Sequence, residues 1–440
     1  MDATRAAKRR RLCERGIITA VMGMILLAPW EQWSSGWTLH LCQAAIAVGL
    51  LALPFLGGRL RWHTLAHPCC WGLALFGAMV LISCFTSQGP ANSWRFLRKE
   101  MLMYAVTFAG IVLVMNQPQQ LKRLLTGIAL LGIIATLMGV AVYHFYLHGA
   151  DAVTRELWVR DDVVDHDVPA LVGTLRAQFP LEHHNKLGFF SALAALCVFQ
   201  MAIIHRRRRW LWLAATAIPV WALVLTLNRG GLVGLAAGAF TMGVLINWRV
   251  ALPVTLAVAL AIAVFVISPL GRDARISSQI RSVFSSQTYD DPISSMTYRF
   301  RGWQGSLRII RDNPLFGVGY SWRNFEDIYP SYAVPEEVQN KPHAHNVWLE
   351  VAVETGLLGA IGFAVFQLGL LAASIRAHWR RPDSWLALLI GLQMIIFVVG
   401  LISYYMREQL GILIWAVFGM SLAWLALRRD AECAQEEAQA

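Results

Sequence analysis

Apolar runs of about 20 residues recur along almost the whole chain, and this pattern constrains its fold more than any other feature. The sequence is 57% hydrophobic and only 15% charged. A soluble protein could not bury so much apolar surface, because self-packing still leaves a largely polar exterior. A run of this length crosses a hydrocarbon core of about 30 Å as a helix. The sequence therefore predicts an all-α polytopic membrane protein.

The apolar runs divide into twelve predicted transmembrane helices. They lie at residues 16–34, 37–56, 68–86, 100–116, 124–146, 187–204, 210–227, 230–246, 250–270, 350–375, 385–404 and 409–427. A basic stretch from Lys8 to Arg15 precedes the first run, as in a secretory signal, but no convincing small-residue cleavage site follows. The first run is therefore predicted to be an uncleaved span.

Lysine and arginine are unevenly distributed between the two sets of connections. With the N-terminus inside, the inner segments hold twenty of these residues, and the short outer connections hold only five. Cytoplasmic connections of membrane proteins are enriched in lysine and arginine, so both termini are expected in the cytoplasm. The net charge of +11 then reflects anchoring at the inner face, and no nucleic-acid partner is expected.

Two connections are long and polar, residues 147–186 and residues 271–345, and both fall on the outer side in this orientation. Long loops are uncommon in compact proteins and are often functional. We therefore expect one integral membrane domain, residues 1–440, with its chemistry in these two outer loops. The sequence has no Walker loop, dinucleotide fingerprint or nucleophile elbow, which argues against a cytosolic nucleotide donor. Its seven cysteines suggest neither a disulfide framework nor a zinc site.

Three arginines stand in settings that favour function. Arg299 and Arg301 flank Phe300 in the second long loop, which suggests a helix close to the membrane. Arg229 interrupts an otherwise apolar stretch, where a charge is costly and usually faces a polar cavity. Guanidinium groups suit phosphate, so a phosphate-bearing ligand is expected. Two alternatives stay open: the loop arginines could bind anionic lipid headgroups, and Arg229 could snorkel from a tight turn.

A stretch with two histidines, His343 and His345, opens the apolar helix that carries Glu350 and Glu354. A histidine beside the membrane could act as a general base on a sugar hydroxyl. The pair could instead bind a metal ion with ligands from the acidic run at residues 161–167, but such runs are more often solvated loops. No metal ion is therefore predicted.

A second polar group, His183, His184, Asn185 and Lys186, lies just before the sixth predicted span. In the predicted orientation this group is on the same side as His345. These side chains could therefore line the same cavity from the opposite side.

The chain resembles the O-antigen ligase family, within the wider group of O-antigen polymerases and pilin oligosaccharyltransferases. The resemblance rests on His345-Asn346, followed after nine residues by Gly356 and after two more by Gly359. Ala360 departs slightly from the usual pattern, which has a different small residue there. Further similar segments are residues 179–188, 226–231 and 303–319. The first five spans match the family only in hydropathy.

The resemblance implies an inverting, metal-independent membrane glycosyltransferase of the GT-C-like class that acts in the periplasm of a bacterium. Its donor would be O-antigen on undecaprenyl diphosphate, and its acceptor a sugar hydroxyl of the lipid A core oligosaccharide. By the same resemblance His345 is the base, and Arg229 and Arg301 bind the diphosphate. Arg299, His184, Asn185, Lys186 and Asn346 are grouped with them as substrate-binding residues, and no cofactor is expected.

Three rival functions remain. A polymerase uses the same donor but a second lipid-linked glycan as acceptor, and Arg308 and Gly319 show a spacing of ten intervening residues found in polymerases. A pilin oligosaccharyltransferase transfers glycan to a serine or threonine. A transporter of lipid-linked glycans would also have many spans, but such proteins usually contain two related halves, and no internal repeat is visible here.

Overall fold

The computed structural model describes residues 2–30, 37–56, 60–147, 177–181, 183–226, 228–267, 295–332, 344–403 and 407–439. Within these ranges every regular element is helical. The acidic run at 161–167, His343 and most of the first long loop lie outside the described residues.

Fourteen α-helices form the described fold. They are α1 (Asp2–Leu27), α2 (Trp37–Phe55), α3 (Cys69–Thr86), α4 (Pro90–Phe96), α5 (Leu102–Val114), α6 (Pro118–Leu147), α7 (His184–Ile204), α8 (Arg209–Leu225), α9 (Arg229–Ile267), α10 (Ser295–Asp312), α11 (Trp322–Ile328), α12 (Val347–Arg380), α13 (Ser384–Gly400) and α14 (Glu408–Gln439). Short 3₁₀ helices follow α1, α2, α7 and α11, and a π-helical turn at Leu97–Met101 joins α4 to α5.

Seven described helices are long and apolar enough to cross a membrane. They lie at Ala7–Trp30, Cys69–Thr86, Pro118–Phe145, His184–Ile204, Arg229–Arg249, Val347–Arg380 and Leu410–Ala438. Two shorter apolar helices, Leu39–Phe55 and Ser384–Gly400, coincide with two more predicted spans. The remaining three coincide with α5, α8 and the second arm of α9. The protein is thus an all-α polytopic membrane protein, and the count of twelve spans stays a prediction.

Helices α7 and α14 lie at the centre of the bundle. Helix α7 packs against α6, α8 and α9, and α14 packs against α5, α12 and α13. Large apolar side chains such as Phe55, Trp71 and Phe85 instead point outward and are mostly exposed. Because lipid rather than water solvates such side chains in a membrane protein, their exposure agrees with a lipid-facing surface.

The most extensive helix contact joins α3 to α12. At the crossing, a Cβ atom on Gly72 would lie 2.6 Å from the carbonyl oxygen of Gly362. Small residues let two backbones approach closely where lipid supplies no hydrophobic driving force. This contact fixes the position of α12, the helix that begins just after His345.

Two helices are broken by a residue with non-helical backbone angles. In α9 the break is at Asn247 (φ −161°, ψ 90°), between the predicted spans 230–246 and 250–270. In α12 it is at Gly356 (φ 75°, ψ 177°), inside a region predicted as one uninterrupted span beginning at residue 350. Hydropathy carries no information on a glycine dihedral angle, so this second break was not predicted.

Candidate functional site

The N-termini of α7, α9 and α12 meet the C-terminus of α13 at one end of the bundle. The side-chain nitrogen of Asn228 donates to the backbone oxygen of Asn185 at 2.9 Å, which joins the starts of α9 and α7. Asn346 Nδ2 donates to the Leu401 oxygen at 2.9 Å, which joins the start of α12 to the end of α13. Ile402 follows Leu401 in the chain. A Cβ on Gly230, near the start of α9, would lie 3.3 Å from the Ile402 side chain, so α9 also contacts the end of α13. We call this region, from Asn185, Asn228 and Asn346 to Leu401 and Ile402, the helix-start junction.

At the start of α7, His183 is the N-cap, and its Nδ1 accepts a hydrogen bond from the Asn185 backbone nitrogen at 3.1 Å. The ring of His184 stacks on that of His183, with 4.2 Å between the centroids. Both His184 and Lys186 are half-buried. The structure thus places the three predicted residues, His184, Asn185 and Lys186, at the junction.

At the start of α9, Asn228 is buried and its Oδ1 accepts from the Gly231 backbone nitrogen at 2.9 Å, which satisfies one of the free donors of the helix. Arg229 is the first residue of the helix and is exposed. The predicted turn is therefore a helix start, and Arg229 adds a guanidinium group where the helix dipole is already positive.

At the start of α12, Asn346 is the N-cap, and its Oδ1 accepts from the backbone nitrogens of Trp348 (2.9 Å) and Leu349 (3.1 Å). Since its Nδ2 donates to Leu401, both ends of the amide are engaged within the protein. His345 has a positive φ of 45°, which is uncommon for a residue with a side chain. Its neighbour Ala344 donates its backbone N–H to Glu350 Oε2 at 3.2 Å.

The break in α12 is closed by a connection between α10 and α11, residues 313–319, which we call the strap. The backbone nitrogens of Val318 and Gly319 donate to the oxygens of Val353 (2.8 Å) and Glu354 (3.2 Å), and Leu357 N donates back to Pro314 O at 2.8 Å. These bonds replace part of the helical ladder that the break interrupts. The sequence segment 313–319, which resembles a family motif, therefore has a structural role.

Helix α10 carries the two predicted arginines of the second loop. Its last two turns pack on α12 and on the short helix after α11, where Gly305 lies against the ring of Tyr329. Arg301, four residues before Gly305, extends this packed face by one turn toward the N-terminus. Arg299 and Arg301 are both half-buried, so burial does not separate their roles. The structure confirms that both lie on a helix.

A buried ion pair that the sequence did not reveal lies next to the strap. Glu354, before the break in α12, pairs with Arg407 from the α13–α14 connection, and the two residues are 1% and 9% exposed. The guanidinium carbon lies 5.1 Å from the ring centroid of Phe96 and 5.5 Å from that of Tyr320. Burial raises the pKa of Tyr320, so its phenol is neutral at physiological pH. The pair ties α12 and the C-terminal connection to the first half of the chain.

A second link to the first half is a buried polar network around Asn324, at α11. Asn324 Nδ2 donates to Ser87 Oγ (2.9 Å) and to Ser93 Oγ (2.8 Å). Ser87 Oγ in turn donates to the Val318 oxygen in the strap at 3.3 Å. The connection between α3 and α4 thus contacts the strap through the hydrogen bond from Ser87 to Val318. No local sequence signal could have found this contact between residues far apart in the chain.

The described part of the chain contains no group of three or more His, Cys, Asp or Glu side chains that could hold a metal ion. The junction instead collects the positive ends of three helix dipoles together with Arg229 and Lys186. Such an arrangement suits an anion, above all a phosphate group. His345, the residue before the N-cap of α12, lies at the same place, and an imidazole is able to accept a proton near neutral pH.

A search of family models finds one that is described as O-antigen ligase and matches residues 214–364. The match includes Arg229, Arg299 and Arg301, the strap, and the start and break of α12. The start of α7 and Arg407 lie outside the matched residues. No curated protein matches the chain.

Proposed function

Residues 214–364 match the family model described as O-antigen ligase, and on this premise we propose that the chain is a member of that family and transfers O-antigen from undecaprenyl diphosphate to a sugar hydroxyl of the lipid A core oligosaccharide. The observation that carries the proposal is the meeting of three helix N-termini with Arg229, Lys186 and His345 at the helix-start junction. Binding a lipid diphosphate beside a proton acceptor is what this reaction requires.

In the proposed mechanism the diphosphate lies at the junction, where Arg229 and Lys186 contact its oxygens. Arg301, and with it Arg299, approaches from α10. Guanidinium groups form paired hydrogen bonds to phosphate oxygens and keep their charge at any relevant pH. As the carrier departs it gains negative charge, and these fixed cations stabilise that charge without moving.

His345 acts as the general base in this mechanism. It takes the proton of the acceptor hydroxyl while that oxygen forms a bond to the anomeric carbon. The bond from the anomeric carbon to the diphosphate oxygen breaks, and its electron pair stays with the diphosphate. Attack from the face opposite the leaving group inverts the linkage. Asn346, whose amide is engaged within the protein, holds the helix start rather than the substrate.

The proposed location is the bacterial inner membrane, with both termini in the cytoplasm and the junction at the periplasmic end of the bundle. The charge distribution of the connections supports this orientation. The chain would act as one integral membrane domain, and donor and acceptor would both enter from the lipid. A metal ion is not part of the proposed reaction.

The test is transfer from undecaprenyl-diphosphate glycan to purified core lipid A, with a chelator present. The parent protein is compared with His345→Ala, Arg229→Ala and Arg301→Ala, and with Arg311→Ala as a control, an exposed arginine at the other end of α10. We expect activity in the parent and in Arg311→Ala and a loss of about 100-fold or more in the other three. Full activity in His345→Ala would remove the proposed base.

Transfer to another acceptor would change the assignment. Product formed only on a second lipid-linked glycan would indicate a polymerase, and product on pilin would indicate a pilin oligosaccharyltransferase. The arginine and glycine of the polymerase-like spacing both have structural contacts, since Arg308 Nη1 donates to the Tyr332 oxygen at 3.0 Å and Gly319 belongs to the strap. That spacing therefore adds no support for a polymerase. Movement of intact donor across a vesicle membrane without transfer would indicate a transporter.

A further inference from the structure

Glu350 is a fully buried carboxylate one turn inside α12, with an exposed fraction of 0%. Its Oε2 accepts the backbone N–H of Ala344, the residue before His345, at 3.2 Å. An acidic side chain near a helix start commonly bonds to the N-cap nitrogen itself. Here the N-cap is Asn346, so Glu350 reaches two residues further back along the chain.

His345 needs support on both sides because its backbone is in the left-handed region, at φ 45°. For a residue with a Cβ atom this conformation is unfavourable and persists only where the surroundings enforce it. On the C-terminal side, Asn346 bonds to Trp348, Leu349 and Leu401. On the N-terminal side, the bond from Ala344 to Glu350 performs the same function.

We propose that Glu350 is a positioning residue for His345, which it holds in the reactive orientation through the hydrogen bond from Ala344. The inference rests on the proposed function, because it assigns the role of Glu350 through the base. Glu350 does not touch substrate. The proposal depends on the acceptor oxygen, which a carboxylate, a carboxylic acid and an amide all provide.

The test compares Glu350→Gln, which keeps the acceptor oxygen, with Glu350→Met, which keeps the approximate volume and removes it. Gln393→Met is the matched control, because Gln393 is a buried polar residue of α13 that bonds to Ser374 and Ser421 inside the bundle. For each protein kcat and the KM for the lipid-linked donor are measured. Thermal unfolding and size-exclusion profiles in detergent establish that each is folded.

We expect Glu350→Gln and Gln393→Met to keep kcat within about threefold of the parent. We expect Glu350→Met to lose about 100-fold in kcat with an unchanged donor KM, since a base displaced by about 1 Å loses catalysis rather than ground-state binding. If Glu350→Met fails to fold, Glu350→Asp replaces it, because its side chain is one methylene too short to reach Ala344. The decisive result is that kcat is restored by glutamine and lost with methionine while both variants stay folded. A residue that only stabilised the fold would not produce this difference.

Three outcomes would overturn the inference. Glutamine as damaging as methionine would mean that charge, and not the hydrogen bond, is required. Parent-like activity in Glu350→Met would mean that the bond is dispensable, and a raised donor KM with unchanged kcat would place Glu350 in binding. The proposed function is judged separately by His345→Ala: if that variant is active the base itself is wrong, whereas an inactive His345→Ala with an active Glu350→Met removes only the positioning role.

Discussion

Helices α9 and α12 are each interrupted at one residue with non-helical backbone angles, but the two breaks are built differently. At Asn247 the backbone is extended, a conformation that any residue adopts, and the side chain is exposed. At Gly356 the backbone is left-handed, a Cβ would lie 2.1 Å from the Leu315 oxygen, and the strap supplies replacement hydrogen bonds. The first break needs no special residue at its centre. The break at Gly356, in contrast, depends on glycine, on the hydrogen bonds from the strap and on the ion pair between Glu354 and Arg407 beside it.

This difference indicates where the protein requires rigidity. The joint at Gly356 lies on the helix that begins next to His345, and its supports come from α3–α4, the strap and the α13–α14 connection. The break at Asn247 lies at the end of the span Arg229–Arg249 that is opposite the helix-start junction. Variants at the two breaks should therefore differ both in stability and in transfer activity.

The largest effect is expected for Arg407→Ala, which leaves Glu354 buried without its cation. Removing one partner of a buried ion pair costs about 3–5 kcal/mol. We expect this loss in detergent unfolding, together with loss of transfer. The double variant Glu354→Gln, Arg407→Met should recover part of the stability, because no isolated charge remains. Equal instability of the single and double variants would show that the pair itself is not what matters.

Gly356→Ala should have the next largest effect. The backbone of Gly356 (φ 75°, ψ 177°) lies in a region that is essentially restricted to glycine and costs other residues about 1–3 kcal/mol, and the clash with Leu315 must displace the strap as well. We expect a total loss of roughly 2–3 kcal/mol in detergent unfolding and a fall in transfer activity. Gly77→Ala is the control, since a Cβ there would meet no atom within 4 Å. It should leave stability unchanged or slightly raised, as alanine favours a helix.

A smaller effect is expected for Asn324→Ala. The substitution removes two buried hydrogen bonds, to Ser87 and Ser93, and so weakens the support behind the strap. Loss of buried hydrogen-bond partners costs about 1–3 kcal/mol. Detergent unfolding should register a loss at the lower end of this range, because both serine hydroxyls keep another partner. A change as large as that of Arg407→Ala would contradict this ranking.

The smallest effect is expected for Asn247→Ala at the other break. An exposed residue with extended backbone should alter unfolding by no more than about 0.5 kcal/mol. Transfer activity should stay at the parent level. A strong loss in either measurement would mean that the break in α9 is as specific as the one in α12.

Features set by local pattern were predictable from the sequence. Apolar runs located the seven helices that are long and apolar enough to cross a membrane, and His345-Asn346 marked the start of α12, because hydropathy and helix capping act over a few residues. The pairing of Glu354 with Arg407 was not predictable. In the sequence Arg407 is a single basic residue in a short outer connection, and nothing near it indicates a buried partner. The support of the strap by Ser87 and Asn324 was missed for the same reason: the residues are distant in sequence and meet only through packing. Neither contact leaves a periodic signal.

The hydrogen bonds between the strap and α12 join main-chain atoms, and Val318 is the strap side chain that is buried against Ala352 and Val353 of that helix. This has a consequence for protein engineering. Leu315 and Phe316 point outward and are largely exposed, so the fit does not depend on their identity. Chimeric proteins that exchange residues 313–319 between relatives should therefore assemble as long as glycine is kept at 317 and 319, where φ is 66° and 107°, and the buried position 318 keeps its valine. The strap is in this sense an exchangeable segment, whose outward-facing side chains can be redesigned without disturbing its backbone hydrogen bonds to α12.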